Sequence, residues 1–350
     1  MRRRVVAGGA AALAVLALLV VVVGPRGLAR DLAAVRPAWA ALAGGLSLGA
    51  FLAWAEGVRR LHVHVGPRVG PIRFQLAFLA GVFAKQLVPV GRATGPVLVA
   101  YALNTQTGGD YERDLAATSV GELSKLAASL VVAAAGAGLL VAGRAPSVPA
   151  TLGIAVAVGT VVVVVATILL VGRRDLLETG VLAGAAVVRA TAGRLSRRVA
   201  FETTPSVVRR RLSAFLASVD VLRDQPGAVV AGVGLAHLGW GSFCLALSAS
   251  AVALGHDVPL GVAMVVVPVG GFASAFPLPG GVGGVEAGMA GLLVAVAGVP
   301  LVDATATVLL FRLASFWLVF LAGGLASLYL SIDPRERARP PARGVGPDRR

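Results

Sequence analysis

Glu286 is the residue around which a chemistry can be built. It lies in the run 270–291, GGFASAFPLPGGVGGVEAGMAG, where Pro277, Pro279, Gly280, Gly281 and Gly283 interrupt an apolar stretch. Proline removes a backbone donor and a glycine run weakens a helix, so the spacing predicts a helix that breaks here and restarts just before Glu286. In hydrocarbon such a break is tolerated only where it is buried in protein or lines a wet cavity. A carboxylate in the first turn of the restarted helix is favoured by the positive end of the helix dipole, and an ionisable group at that depth marks a functional site by default. Six further side chains could work with it. Arg312 sits in the last apolar run, Lys85, Arg92 and Tyr101 flank a second interruption at Pro89 and Gly91, and Glu122 and Lys125 stand at i,i+3 spacing in the next run. The chemistry of such a set is binding: broken-helix N–H groups and cations hold a phosphate. Glu286 would hold Arg312 or meet a cationic headgroup. At ~1.5 Å rise per residue the two fall within about 8 Å in depth, so a pair is expected. Glu122 and Lys125 have an alternative reading as an interfacial pair near a helix end.

Other chemistries lack their residues. No Gly-Lys-Ser/Thr follows the GGVGG run, which excludes a nucleotide-binding phosphate loop. The four histidines are scattered and none belongs to an HExxH; His62 and His64 read as interfacial. Cys244 is the single cysteine, so there is no intrachain disulfide and no cysteine metal site. No cofactor and no metal are expected, and the chain is not expected to be an enzyme. The net charge of +15 comes almost wholly from arginine, grouped between and beyond apolar runs. That pattern suits loops facing anionic lipid headgroups and not nucleic acid.

The elements that must position these residues follow from the apolar runs. The 350 residues are 57% hydrophobic and 14% charged, a composition of membrane proteins. The fold class is all-α and polytopic. Runs at 5–23, 37–57, 115–141, 151–171, 227–254, 258–276, 285–299 and 304–332 give about eight spans, with 74–103 as a re-entrant pair or, alternatively, two short spans. Asp110, Glu112, Arg113 and Asp114 read as a polar surface turn. The connection 172–226 holds ten arginines against five acids, which puts it and both termini on the cytoplasmic side. Within it, 205–223 reads as a basic amphipathic helix, with Thr204 as N-cap, Pro205 at the first position, and Val208, Leu212, Phe215, Val219 and Leu222 on one face. Residues 1–332 form the membrane domain and 333–350 a disordered basic tail. The breaks at 89–91 and 277–283 occupy corresponding places in the two halves, the pattern of a transporter built on an inverted repeat.

The run Pro277-x-Pro279-Gly280-Gly281-x-Gly283-x-x-Glu286-Ala287 resembles the lysylphosphatidylglycerol synthase transmembrane, flippase-like family. The patch 83–101, FAKQLVPVGRATGPVLVAY, is similar to a second family region, with Ala93-Thr94-Gly95 where a Gly-Gly pair is usual. The resemblance implies a multi-pass protein of the cell membrane that handles a phospholipid, an aminoacyl-phospholipid or a polyprenyl-phosphate-linked lipid. It also implies that the family's aminoacyl transfer belongs to a separate soluble domain. Membrane lipids with anionic headgroups are then the expected partners, with a homo-oligomer or a cell-envelope enzyme as further partners. The alternative is a scaffold or accessory subunit for a lipid or cell-envelope glycan enzyme, docking through the basic helix.

Overall fold

The computed structural model describes residues 34–88, 91–142, 174–191, 201–272 and 279–332. The expected first span, the span at 151–171 and the tail lie outside these residues. The helices are α1 (Pro37–Val65), α2 (Pro71–Leu87), α3 (Gly91–Thr107), α4 (Tyr111–Ala142), α5 (Arg174–Thr191), α6 (Pro205–Arg223) and α7 (Pro226–Ala253). They continue with α8 (Leu260–Phe272), α9 (Gly284–Ala297), α10 (Leu301–Arg312) and α11 (Leu318–Ile332), and no strand occurs among the described residues. A single π turn, Leu313–Trp317, joins α10 to α11. Prolines open α1, α2, α6 and α7, where a missing N–H costs nothing and the fixed φ already fits the helix.

Four helices among the described residues are long and apolar enough to cross a membrane: Pro37–Val65, Tyr111–Ala142, Pro226–Ala253 and the continuous Leu301–Ser331. The expected count of eight is not reached there. Part of the reason is that α8 and α9, counted as two spans, are 13 and 14 residues long. At ~1.5 Å per residue each is roughly 20 Å, well short of a ~30 Å hydrocarbon core.

Several boundaries also differ. Helix α1 runs on to Val65 instead of ending at residue 57, because Glu56 bonds Arg59 at 2.6 Å and Arg60 at 2.7 Å and draws the loop arginines into helical i,i+3 and i,i+4 pairs. Helix α4 starts at Tyr111, so the supposed surface turn is its first turn. Thr204 does occupy the N-cap of α6, but its hydroxyl donates to the Phe201 carbonyl and caps nothing. The buried residues of α6 are Val207, Ser218 and Leu222; Val208, Leu212, Phe215 and Val219 are only half-buried. Helix α5 packs on α6 through the Arg174–Asp220 and Glu178–Arg209 ion pairs.

The two breaks make two helical hairpins that enter the bundle from opposite ends. In the first, α2 and α3 run antiparallel, with Gly81 set so close to Val99 that an added Cβ would meet its Cα at 2.7 Å. Its base lies beside the C-terminus of α1 and the start of α4. In the second, α8 and α9 run from the other end, which is also where α1 begins: the Arg36 N–H donates to the Ala253 carbonyl at 2.8 Å. Each hairpin has its own apolar core. Phe74, Phe78, Val99 and Leu103 pack with Trp54, Val58 and Val319 around the first. Val262, Val266, Met289 and Leu293 pack with Leu247, Val308 and Phe311 around the second. Trp240 and Phe243 of α7 pack against both cores and form the seam.

Polar residues close the base of the first hairpin. Asp114 is fully buried; its Oδ1 meets His62 Nε2 at 2.7 Å, and its Oδ2 accepts from Asn104 Nδ2 and from the Thr107 hydroxyl at 2.9 Å each. The reading of His62 as interfacial and of Asp114 as a surface residue is therefore corrected. Once α1 and α4 extend beyond the expected ends, both residues lie between helices. His64 is exposed.

Helix α11 lies on α2 at Gly323, where an added Cβ would sit 2.4 Å from the Leu79 carbonyl oxygen. At the neighbouring Gly324 the same atom would meet Phe83 at an ordinary 3.5 Å. Small residues let membrane helices approach closely, and overpacking such a contact costs ~1–3 kcal/mol. Gly323→Ala should lower the melting temperature in detergent by several degrees and Gly324→Ala should not; equal effects would show that the close approach does not matter.

Candidate functional site

The tips of both hairpins meet at mid-bundle and line one cavity of about 600 Å³. Lys85, Gln86, Val88 and Pro96 come from the first tip, and Gly271, Gly280 and Gly281 from the second. Glu122, Lys125 and Arg312 complete the polar wall, and the aromatic rings of Phe51, Trp54, Trp240, Phe243, Phe311 and Phe316 form much of the rest.

The second tip is built by glycine. Residues Pro279–Gly281 form a single 3₁₀ turn in which Gly280 has φ 61°, and Gly283 follows at φ 87°. Both angles are readily available only to glycine. The turn aims the Gly283 N–H back at the third residue of α9, Glu286, whose Oε2 accepts it at 2.6 Å. This is half of a capping box, with the carboxylate serving the positive end of the helix. The other oxygen, Oε1, accepts from Arg312 Nε at 2.6 Å, and Glu286 is 3% exposed.

Arg312 is positioned from three sides. Its Nε is bound to Glu286, its Nη2 donates to the Gly280 carbonyl at 3.1 Å, and the guanidinium carbon lies 4.3 Å from the centre of the Phe316 ring. The π turn that begins at residue 313 sets this stacking, and π turns occur often at functional sites. Nη1 has no hydrogen-bond partner among the described residues, and it belongs to a side chain that lines the cavity. Glu286 thus acts by orienting Arg312. Its two oxygens are committed within the protein, and it is not itself among the cavity-lining residues.

Facing this is a cationic wall. Lys125 Nζ donates to Glu122 at 2.7 Å, and Lys85 Nζ stands 3.9 Å from the same carboxylate. Lys125 also lies over the rings of Trp54 and Phe78, at 5.4 and 5.8 Å. Because α4 starts at Tyr111, Glu122 and Lys125 stand several turns into the helix, where both line the cavity. Gly95 makes room for the Lys85 stem, whose Cδ would lie 3.0 Å from an added Cβ. The group carries two positive charges and one negative, and Arg312 with Glu286 is neutral, so the described residues give the cavity a net positive charge.

Not every expected residue joins the site. Tyr101 is 65% exposed and does not line the cavity. Gly91 opens α3 at the first tip, while Pro89, Pro277 and the side chains of Arg92 and Pro279 lie outside the described residues. Gln86 and Phe316 were missed. Gln86 Oε1 is buried and has no partner among the described residues. Phe316 could have been found from its spacing, since an aromatic four residues after Arg312 lies on the same helix face.

A polytopic helical bundle with two broken hairpins meeting at a charged cavity defines an integral membrane protein with a central polar site. A family model, the lysylphosphatidylglycerol synthase TM region, matches residues 5–323, and the chain belongs to that family. It is thus a multi-pass membrane protein of lipid metabolism or transport. No match was found among curated proteins or among solved structures.

Proposed function

We propose that the protein moves an anionic lipid across the bilayer, holding its headgroup in the central cavity while the acyl or prenyl chains stay in hydrocarbon. The observation that carries this reading is the convergence of Lys85, Lys125 and Arg312, from three different helices, on a cavity that is otherwise mainly apolar and aromatic. An ammonium or guanidinium in a poorly hydrated site binds a phosphate through short, charge-assisted hydrogen bonds. Gln86 Oε1 would accept from a hydroxyl or amine on the same headgroup, which suits a phospholipid better than a bare phosphate. The two hairpin tips reach the cavity from opposite ends, the arrangement that lets one site face each side in turn. The membrane is the cell membrane, with the basic α5–α6 connection on the cytoplasmic side. The chain acts as a carrier, without bond-making chemistry of its own.

The test is transbilayer movement of a fluorescent phosphatidylglycerol analogue in proteoliposomes. Wild-type protein should accelerate it over protein-free vesicles. Lys85→Gln removes a charge that the Lys125–Glu122 pair does not need, so it should slow movement about tenfold with the melting temperature unchanged, the loss expected for one charged hydrogen bond. Movement no faster than in protein-free vesicles, for any anionic lipid tried, would overturn the reading.

A further inference from the structure

The His62–Asp114 pair lies away from the central cavity, at the base of the first hairpin, and the lipid site makes no use of it. Both side chains are 1% exposed. Asp114 Oδ2 accepts from Asn104 Nδ2 and from the Thr107 hydroxyl, and Oδ1 shares a proton with His62 Nε2 across 2.7 Å. Nδ1, the second ring nitrogen, is buried and has no partner among the described residues. With that one proton on Nε2 and the imidazole neutral, the pair buries one negative charge and leaves one bare basic nitrogen.

We infer that His62, held by Asp114, is a proton-binding site whose occupancy sets how firmly the first hairpin is held to α1 and α4. A proton from water adds to the Nδ1 lone pair while Nε2–H stays on Asp114; the imidazole becomes imidazolium and the pair goes from −1 to neutral. Two effects oppose each other. The new Nδ1–H lacks an acceptor, which costs about as much as one unmade hydrogen bond, whereas an uncompensated buried charge costs more. Charge cancellation wins, and the charged pair is also the stronger hydrogen bond. Protonation tightens the cluster. Because Asn104 and Thr107 lie in the last turn of α3, it fixes the hairpin whose other end carries Lys85 to the cavity.

The charged groups around the pair have partners of their own. On α4, Arg113 pairs with Asp110 and Glu112 lies 3.8 Å from Arg211 of α6. On α2, Arg73 donates to Gln106 of α3, and on α1 Arg59 and Arg60 are bound to Glu56 while His64 Nδ1 lies 3.0 Å from the Arg60 carbonyl oxygen. The Phe74 ring lies tilted against the imidazole, with ring centres 5.3 Å apart.

The effect on lipid movement rests on the reading above, but the test does not. Amide hydrogen exchange of residues 104–114 is measured in the full chain in nanodiscs at about pH 5.5 and pH 8, either side of the range in which imidazoles change charge, and corrected for intrinsic exchange rates. Wild-type protein should be about tenfold better protected at the lower pH. His62→Gln keeps an N–H donor toward Asp114 but cannot take a proton there, so it should fold and show no such difference. Protection independent of pH in the wild type, or the same pH dependence in His62→Gln, would overturn the inference. A ¹⁵N-histidine spectrum, with the His62 signals identified by their absence in His62→Gln, gives a second reading: His62 nitrogens that do not titrate over this range would also overturn it.

Discussion

Glu286→Gln should both unfold the second tip and stop lipid movement. The substitution leaves the Arg312 guanidinium without its counter-charge in a side chain that is only 11% exposed. Removing one partner of a buried ion pair costs ~3–5 kcal/mol, most of it the cost of the stranded charge. A large fall in melting temperature in detergent is the expected result. Glu286→Gln combined with Arg312→Met removes both charges and keeps the length of the arginine stem. A glutamine oxygen can still accept from Gly283, so most of the lost stability should return. Lipid movement should not return, because the guanidinium facing the cavity is gone. A double variant that is stable and moves lipid at the wild-type rate would show that the pair only holds the helices together. Glu286→Gln alone, if it folded and moved lipid normally, would remove Glu286 from the site.

Gly280→Ala should be the most damaging of the single-methyl substitutions. At φ 61° an alanine pays the left-handed penalty of ~1–2 kcal/mol. Its Cβ would also lie 2.4 Å from the tip of the Phe316 ring, which cannot move without carrying the guanidinium stacked on it. Gly298, at the end of α9, is the control. It has nearly the same φ, 64°, but nothing within 4 Å of an added Cβ. Gly298→Ala should therefore lose only the backbone term and keep its lipid movement. Gly280→Ala should lose a further ~1–3 kcal/mol from overpacking, and its lipid movement should fall at least tenfold. Equal stability of the two variants, with equal movement, would mean that the Phe316–Arg312 stack is not held by the glycine turn.

The contrast between Glu286 and Asp114 shows where reading the chain stops. Both are carboxylates near a helix start. Glu286 stands out because an acid inside a long apolar run has to be paid for, and Pro and Gly before it announce the broken helix. Its pairing with Arg312 also follows from depth along two antiparallel helices. Asp114 sits among Asp110, Glu112 and Arg113, a composition that reads as a wet turn, yet it is fully buried. Its burial depends on α1 continuing to Val65 and on α3 ending beside it, and neither is a local property of residues 110–114. The same holds for Glu122 and Lys125. Their spacing promises a pair, but only the start of α4 at Tyr111 decides whether that pair lies at a surface or in the cavity wall.

The amino-acid sequence by itself determined the helical membrane character, the two Pro/Gly breaks and the lone carboxylate at the second of them, because hydropathy, missing donors and buried charge act locally along the chain. The tertiary structure alone decided that the two tips enter from opposite ends and share one cavity, that Glu286 orients Arg312 and does not itself line the cavity, and that His62 meets Asp114. These depend on contacts between residues 26 to 52 or more positions apart, set by how closely glycine lets helices approach and by which faces pack together.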